Sequence, residues 1–407
     1  MPDNLNHDNA SSRSYSFAFS VLVSLFFFWG FITCLNDILI PHLKAEFDLS
    51  YFEATLIQFC FFTAYLLVSI PAGNMVSRIG YKNGIVTGLF VTSVGCLLFI
   101  PAASWEIYSL FLGALFVLAS GITILQVSAN PYVNALGSEE TASSRLNLSQ
   151  GFNALGTTLA PVLGGGLILA GASSLDSNIG TVKLPYLILA ILLSLVALTF
   201  INLNLPSISH ERGEKISTLA LLKRFPTLTF GCVSLFAYVG AEVAIGSLLI
   251  NYLGLDNIKG LAENQAAHFV AFYWGGAMIG RFIGSVIMRF IKPALLLSFN
   301  AILALTLLVM VVHADGDIAF GAVLLIGLFN SIMFPTIFSL SLRGTGVYSA
   351  QASGVLCLTI FGGAVVPLIQ GAVADTAGLQ ESFYVPMVSY LAILLFALHV
   401  LKNKSQN

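Results

Sequence analysis

Long apolar runs separated by short polar segments make up most of this chain. A helix that crosses the hydrocarbon core of a bilayer needs about 20 predominantly apolar residues. Runs of about this length recur along the whole sequence. We therefore predict an all-α membrane protein with twelve transmembrane helices, over approximately 17–42, 52–76, 83–102, 107–135, 147–170, 184–204, 226–253, 265–288, 293–312, 317–341, 350–372 and 384–401.

The longest polar insert lies between the sixth and seventh predicted spans and divides the chain into two similar parts. We predict an N-terminal six-helix half (1–205), a cytoplasmic linker (206–224) and a C-terminal six-helix half (225–407). Two motifs recur at nearly the same offset: Gly73–Arg78 with Lys82 matches Gly284–Arg289 with Lys292, and Gln126 with Pro131 matches Asn330 with Pro335. Such recurrence predicts the two pseudo-symmetric halves of a transporter built from parallel repeats.

Composition excludes several classes of function. Of the 407 residues, 57% are hydrophobic and 9% are charged, whereas soluble proteins average about 45–50% and 25%. This excludes a soluble enzyme, and a net charge of −2 gives no basic surface for nucleic acid. The sequence contains no Gly-Lys dipeptide, no HExxH and no GxSxG. We therefore expect no enzyme activity, cofactor or metal site, and any transport would be facilitated or driven by an ion gradient.

Lysine and arginine predict the orientation in the bilayer. If both termini are cytoplasmic, only Lys44, Lys183 and Lys259 of the 17 basic residues lie in outer loops, and Arg281 lies inside a span. This asymmetry agrees with the positive-inside rule. It predicts a multi-pass protein of the bacterial inner membrane with both termini in the cytoplasm.

Two carboxyl side chains, Asp37 and Glu242, fall well within predicted spans. A charge near the bilayer centre costs at least about 2.5–3.5 kcal/mol on insertion scales, so each of these carboxyl groups is expected to have a functional or structural role. The two residues belong to the opening helices of the two halves and could both face a central cavity. We predict that they couple transport to a cation. The alternative is a structural carboxylate paired with a buried cation, for which Arg281 is the candidate.

Neutral amides form a second polar set at membrane depth. Gln126 and Asn130 are four residues apart, and Gln150 and Asn153 are three apart, so each pair shares a helix face. Amides both donate and accept hydrogen bonds, which suits sugar hydroxyls without burying a charge. The alternative is hydrogen bonding between helices. The predicted substrate-binding set is Trp29, Asn36, Gln126, Asn130, Gln150, Asn153, Asn251 and Asn330.

Prolines next to these amides lack the N–H that would bond the carbonyl four residues earlier. Pro131 and Pro335 should therefore leave the carbonyls of Val127 and Ser331 free as acceptors. We interpret these sites as structural or gating features.

At this point the motifs become recognisable. GNMVSRIGYK (73–82) resembles the loop 2–3 signature of the major facilitator superfamily, with Ser77 in place of the usual acid. In this signature and its repeat, Gly73, Arg78, Lys82 and Arg289 are the predicted gating residues. More specific resemblance lies in 29–44, 128–161, 238–247 and 328–344. These stretches look like the fucose–galactose–glucose:proton symporter branch, and the bacterial glucose/galactose transporters more than the fucose permeases.

The resemblance implies import of a hexose by alternating access, coupled to a cation gradient. In the fucose permeases an acid on helix one handles the proton, and Asp37 occupies that position. Their second acid, on helix four, corresponds to Gln126, and their helix-five amides correspond to Gln150 and Asn153. We therefore predict a monomeric sugar:cation symporter, with protons favoured over sodium. The alternatives are an efflux antiporter for small apolar compounds and a membrane sugar sensor without transport activity.

Overall fold

The computed structural model describes residues 15–34, 51–105, 107–172, 180–206 and 216–404. Within these ranges every regular element is a helix. The helices are α1 Tyr15–Cys34, α2 Tyr51–Ile79, α3 Tyr81–Trp105, α4 Tyr108–Ala135, α5 Ala142–Ala172, α6 Gly180–Asn202, α7 Thr218–Arg224, α8 Pro226–Leu253, α9 Glu263–Ile287, α10 Pro293–His313, α11 Gly316–Asn330, α12 Met333–Leu342, α13 Ser349–Leu358, α14 Gly362–Ala377 and α15 Tyr384–Lys404.

Ten candidate spans in the described part are long and apolar enough to cross a membrane, and α6 contributes a shorter apolar stretch, Tyr186–Asn202. Many large apolar side chains on these helices are exposed, among them Phe272, Leu295 and Val388. Exposed apolar surface on this scale is what a lipid-facing exterior requires. The prediction of an all-helical, multi-pass protein is confirmed for these residues.

Two of the spans predicted as single helices are interrupted. The tenth consists of α11 and α12, with a turn at Ser331 and Ile332, and the eleventh consists of α13 and α14 joined by the short 3-10 helix Thr359–Phe361. The first break lies one turn before Pro335, whose ring removes the bond to Ser331 and crowds its carbonyl. In α4, by contrast, Pro131 lies inside a continuous helix.

The chain forms two compact units. The first contains Met1–Ala142, Phe152–Lys215 and Thr345–Leu358, and the second contains Ser143–Gly151, Ile216–Gly344 and Thr359–Asn407. Each unit takes most of its residues from one predicted half of the sequence and one short segment from the other.

Glycines allow the helices of each unit to approach closely. In the first unit, an added Cβ at Gly354 of α13 would lie 2.6 Å from the carbonyl oxygen of Ser69 and 3.0 Å from the Cα of Gly73, both on α2. In the second unit, a Cβ at Gly327 of α11 would clash with the carbonyl oxygen of Tyr273 on α9. Small residues at such crossings are typical of helix packing in membranes.

Candidate functional site

In the first unit, a buried amide is held by a tyrosine. Gln126 on α4 donates from Nε2 to the hydroxyl oxygen of Tyr65 on α2, at 2.7 Å. The two residues are 9% and 2% exposed. The Oε1 atom of Gln126 is also buried and has no hydrogen-bond partner in the described part of the chain. One end of this amide is therefore fixed, and the other end is buried without a hydrogen bond.

The second unit contains the same arrangement. Asn330, the last residue of α11, donates from Nδ2 to the hydroxyl oxygen of Tyr273 on α9, at 2.8 Å. Both residues are fully buried, and Oδ1 of Asn330 has no hydrogen-bond partner among the described residues. The hydroxyl of Tyr390 on α15 is also buried and has no hydrogen-bond partner among the described residues.

The carbonyl left free by Pro131 is used inside the first unit. Ser353 of α13 donates from its hydroxyl to the carbonyl oxygen of Val127, at 2.9 Å. Asn130, which shares a face of α4 with Gln126, is completely buried. This part of α4 therefore carries buried polar side chains, and their role in binding substrate stays a prediction.

Glu242 lies in a polar cluster of the second unit. Its Oε1 atom accepts a hydrogen bond from the hydroxyl of Tyr238, one turn earlier on α8, at 2.7 Å. The same oxygen lies 3.4 Å from Nη2 of Arg281 on α9. The pairing with Arg281 that the sequence offered as an alternative is therefore present. A role of Glu242 in cation coupling stays a prediction.

Arg281 also binds two backbone carbonyls of the second unit. Its Nε donates to the oxygen of Ser331 at 3.1 Å, which is the carbonyl that Pro335 leaves free. Its Nη1 lies 3.5 Å from the carbonyl oxygen of Gln150, at the end of the segment that α5 contributes to this unit. One guanidinium thus joins α8, the break between α11 and α12, and α5.

The remaining predicted substrate residues occupy different environments. Asn153 donates from Nδ2 to the carbonyl oxygen of Phe26 at 3.0 Å, and Trp29 is buried against the ring of Phe26, with centroids 5.3 Å apart. The side chain of Gln150 is buried, whereas Asn251 is exposed in the last turn of α8. Asn36 and Asp37 lie outside the described residues.

The predicted gating motif has a structural role in the first unit. Gly73 lies inside α2, where a Cβ would lie 3.1 Å from the Cα of Gly354. Lys82 donates from Nζ to the carbonyl oxygens of Ile201 and Leu203, both at 2.8 Å, and so satisfies carbonyls at the end of α6. The corresponding arginines are both exposed, namely Arg78 and Arg289.

Tyr65 and Tyr273 are not among the site residues predicted from the sequence. A signal for them exists, because they lie on the second and eighth predicted spans, which are equivalent helices of the two halves. Their separation of 208 positions is close to the 204 that separates Gln126 from Asn330. Within the pairs the separations are 61 positions (Tyr65 to Gln126) and 57 positions (Tyr273 to Asn330), which differ by about one helical turn.

Comparison with known proteins identifies the family. The sequence pattern of the Major Facilitator Superfamily matches residues 18–361. The chain belongs to this superfamily. It is therefore a multi-pass membrane transporter and not an enzyme. Its fold matches the crystal structure of the superfamily transporter FucP in the outward conformation, with a TM-score of 0.88 and 33% identity over 95% of this chain and 99% of that one.

Two curated superfamily relatives span nearly the whole chain. The glucose/galactose transporter of Brucella abortus is 54% identical over 399 residues, which are 97% of this chain and 96% of the relative. The L-fucose-proton symporter of Escherichia coli is 34% identical over 417 residues, which are 97% and 95% of the two chains. The resemblance drawn from the sequence motifs is confirmed.

Proposed function

We propose that this transporter imports a hexose of the glucose/galactose type by alternating access, in symport with a proton. The proposal rests chiefly on the 54% identity to a glucose/galactose transporter across nearly the whole of both chains. The name of the Escherichia coli relative supports the proton as the coupled ion. Sodium is the alternative, and an imposed-gradient experiment separates the two.

The proposed setting is a monomer in the bacterial inner membrane, with both termini in the cytoplasm. Its twelve transmembrane helices would form two six-helix halves, 1–205 and 225–407, joined by the cytoplasmic linker 206–224. The uneven distribution of lysine and arginine supports this orientation. The recurrence of one amide–tyrosine pair in each unit supports the two-fold repeat.

Buried amides would recognise the sugar. Each described unit presents an amide whose tyrosine-bound end is satisfied and whose other end is buried without a hydrogen bond. Such a group gains most from a ligand hydroxyl, because a buried polar atom without a partner is unfavourable. The proposed contacts are Gln126, Asn130, Gln150, Asn153 and Asn330, with Trp29, Asn36 and Asn251 as further candidates.

Asp37 would be the principal cation-coupling residue, with a secondary role for Glu242. Glu242 already has a positive partner in Arg281 and a donor in Tyr238. It could exchange a proton during transport only if that pair opened. Asp37 is the other carboxyl within the predicted spans, and a relative of this chain is named as a proton symporter.

Reconstituted uptake tests the proposal. The full chain is placed in liposomes and supplied with labelled glucose, galactose, mannose, fucose and N-acetylglucosamine, with an inward proton gradient, an inward sodium gradient or neither. We expect glucose or galactose to accumulate with the proton gradient alone. Accumulation driven only by sodium would refute the choice of ion, and absence of uptake for every sugar would refute the function.

The Asp37→Asn variant tests the coupling residue. It should abolish uphill accumulation, because the amide cannot release a proton, while exchange of labelled for unlabelled sugar across the membrane continues. The matched control is Glu242→Gln, which should retain part of the accumulation. If Asp37→Asn still concentrates sugar, the assignment is wrong.

A further inference from the structure

The two amide–tyrosine pairs share one geometry although they are built from different helices. In each, an amide lies near a proline-associated stretch of its helix and its NH₂ group reaches a tyrosine hydroxyl on a neighbouring helix, at 2.7 Å for Gln126 and 2.8 Å for Asn330. The tyrosines, Tyr65 and Tyr273, are 2% and 0% exposed. An arrangement that occurs once in each unit is not an isolated accident of packing.

Each tyrosine leaves a defined end of its amide unsatisfied. The carbonyl oxygens of Gln126 and Asn330 are buried and accept no hydrogen bond from the part of the chain that the structure describes. In the structure each tyrosine hydroxyl accepts from the NH₂ group of its amide, so the group of the amide left without a partner is the carbonyl oxygen.

We propose that Tyr65 and Tyr273 are positioning residues, which hold the amides of Gln126 and Asn330 so that the open end of each receives one sugar hydroxyl. This inference rests on the proposed function. A fixed amide offers only one kind of group to the ligand, whereas a freely rotating amide can offer either its donor or its acceptor. The tyrosines would thus contribute to sugar selectivity without touching the sugar, because a site built to bond a particular hydroxyl rejects an analogue that lacks it.

The competing explanation is that each tyrosine only joins two helices. Hydrogen bonds between polar side chains of neighbouring helices are common in membrane proteins. Tyr252 provides the matched comparison, because it is fully buried in α8 and donates to the carbonyl oxygen of Val311 on α10, at 2.8 Å. Its hydroxyl joins helices but holds no amide.

The experiment compares Tyr65→Phe, Tyr273→Phe and Tyr252→Phe in the reconstituted full chain. Each substitution removes one hydroxyl and retains the ring. We expect the first two to raise the KM for the transported hexose by about 3- to 10-fold, the range for one lost hydrogen bond, with little change in maximal rate. They should also reduce the preference for that hexose over at least one monodeoxy analogue. Tyr252→Phe should alter neither property, although it can lower thermal stability.

A double variant tests whether Tyr65 acts through Gln126. Adding Tyr65→Phe to Gln126→Ala should have no further effect on sugar affinity, measured as KM or, where transport is too slow, as equilibrium binding of labelled sugar. Multiplying effects would overturn the inference, as would phenylalanine variants that retain the wild-type KM and deoxy-sugar preference. Failure of the wild-type chain to take up any hexose would instead refute the proposed function.

Discussion

Arg281 provides the strongest test of the energetics of the second unit. It forms a charge pair with Glu242 at 3.4 Å, and the two side chains are 12% and 14% exposed. Arg281→Met preserves a long unbranched side chain but removes the guanidinium. The Ser331 carbonyl then loses the donor that lies 3.1 Å away, and Glu242 keeps the hydrogen bond from the Tyr238 hydroxyl.

Removing one partner of a buried ion pair costs about 3–5 kcal/mol, because the remaining charge stays out of water. The 3.4 Å separation is long for a charge-assisted hydrogen bond, and partial exposure lets some water reach the carboxylate. We therefore expect Arg281→Met to lower the free energy of unfolding by an amount near the lower end, about 3 kcal/mol. This corresponds to roughly 100-fold in the unfolding equilibrium.

Reversible unfolding of the purified chain in mixed micelles, titrated with SDS, measures this quantity. Glu242→Gln and the double variant Arg281→Met/Glu242→Gln complete a double-mutant cycle. The double variant should be more stable than Arg281→Met alone, because it no longer contains an uncompensated carboxylate. A cost for Arg281→Met within about 0.5 kcal/mol, the range of ordinary surface substitutions, would refute the reasoning. So would a double variant as unstable as Arg281→Met.

Three further predictions concern the first unit, with one control in the second. Gly354→Ala should lower the free energy of unfolding by about 1–3 kcal/mol, because its Cβ would lie 2.6 Å from the Ser69 oxygen. The control, Gly371→Ala, has open space around its Cβ and should leave the free energy of unfolding unchanged. Equal unfolding midpoints for the two variants would contradict this prediction. Asn153→Ala should raise the sugar concentration for half-maximal uptake, and unchanged kinetics would indicate helix packing instead. Lys82→Met should lower the free energy of unfolding by about 1 kcal/mol, because it removes the donor to the carbonyls of Ile201 and Leu203. Amide hydrogen exchange in the last turn of α6 should become faster. Unchanged exchange would show that the Lys82 hydrogen bonds do not stabilise the end of α6.

Hydropathy predicted the helices well because apolar length is a strong local signal. The pattern indicated one span over 317–341, yet the structure divides it between α11 and α12. The proline that lies one turn beyond the break, Pro335, was visible in the sequence, and so was the carbonyl that it leaves free. The sequence did not show how strongly the helix would be distorted, because Pro131 removes a hydrogen bond in the same way and α4 nevertheless remains continuous.

Which segments pack together in the folded chain was harder to predict from the sequence. Nothing local indicates that 143–151 would pack in the second unit or 345–358 in the first. These placements depend on which helix faces carry small residues, as at Gly354, and on which partner they meet. Tyr65 and Tyr273 were overlooked for a related reason. In the sequence, a tyrosine within an apolar run cannot be distinguished from other buried aromatic residues. Only the structure shows that an amide lies opposite its hydroxyl.

The two proline sites show how the repeated units have diverged. In the first, the carbonyl freed by Pro131 accepts from a neutral hydroxyl, that of Ser353. In the second, the carbonyl freed by Pro335 accepts from Arg281, a charged donor that must itself be balanced. Glu242 supplies that balance, so its presence at membrane depth has a structural cause that would hold even without cation coupling. A buried carboxylate in a transporter span is therefore not sufficient evidence for proton transfer, and the case for coupling depends on whether the carboxylate lacks such a partner.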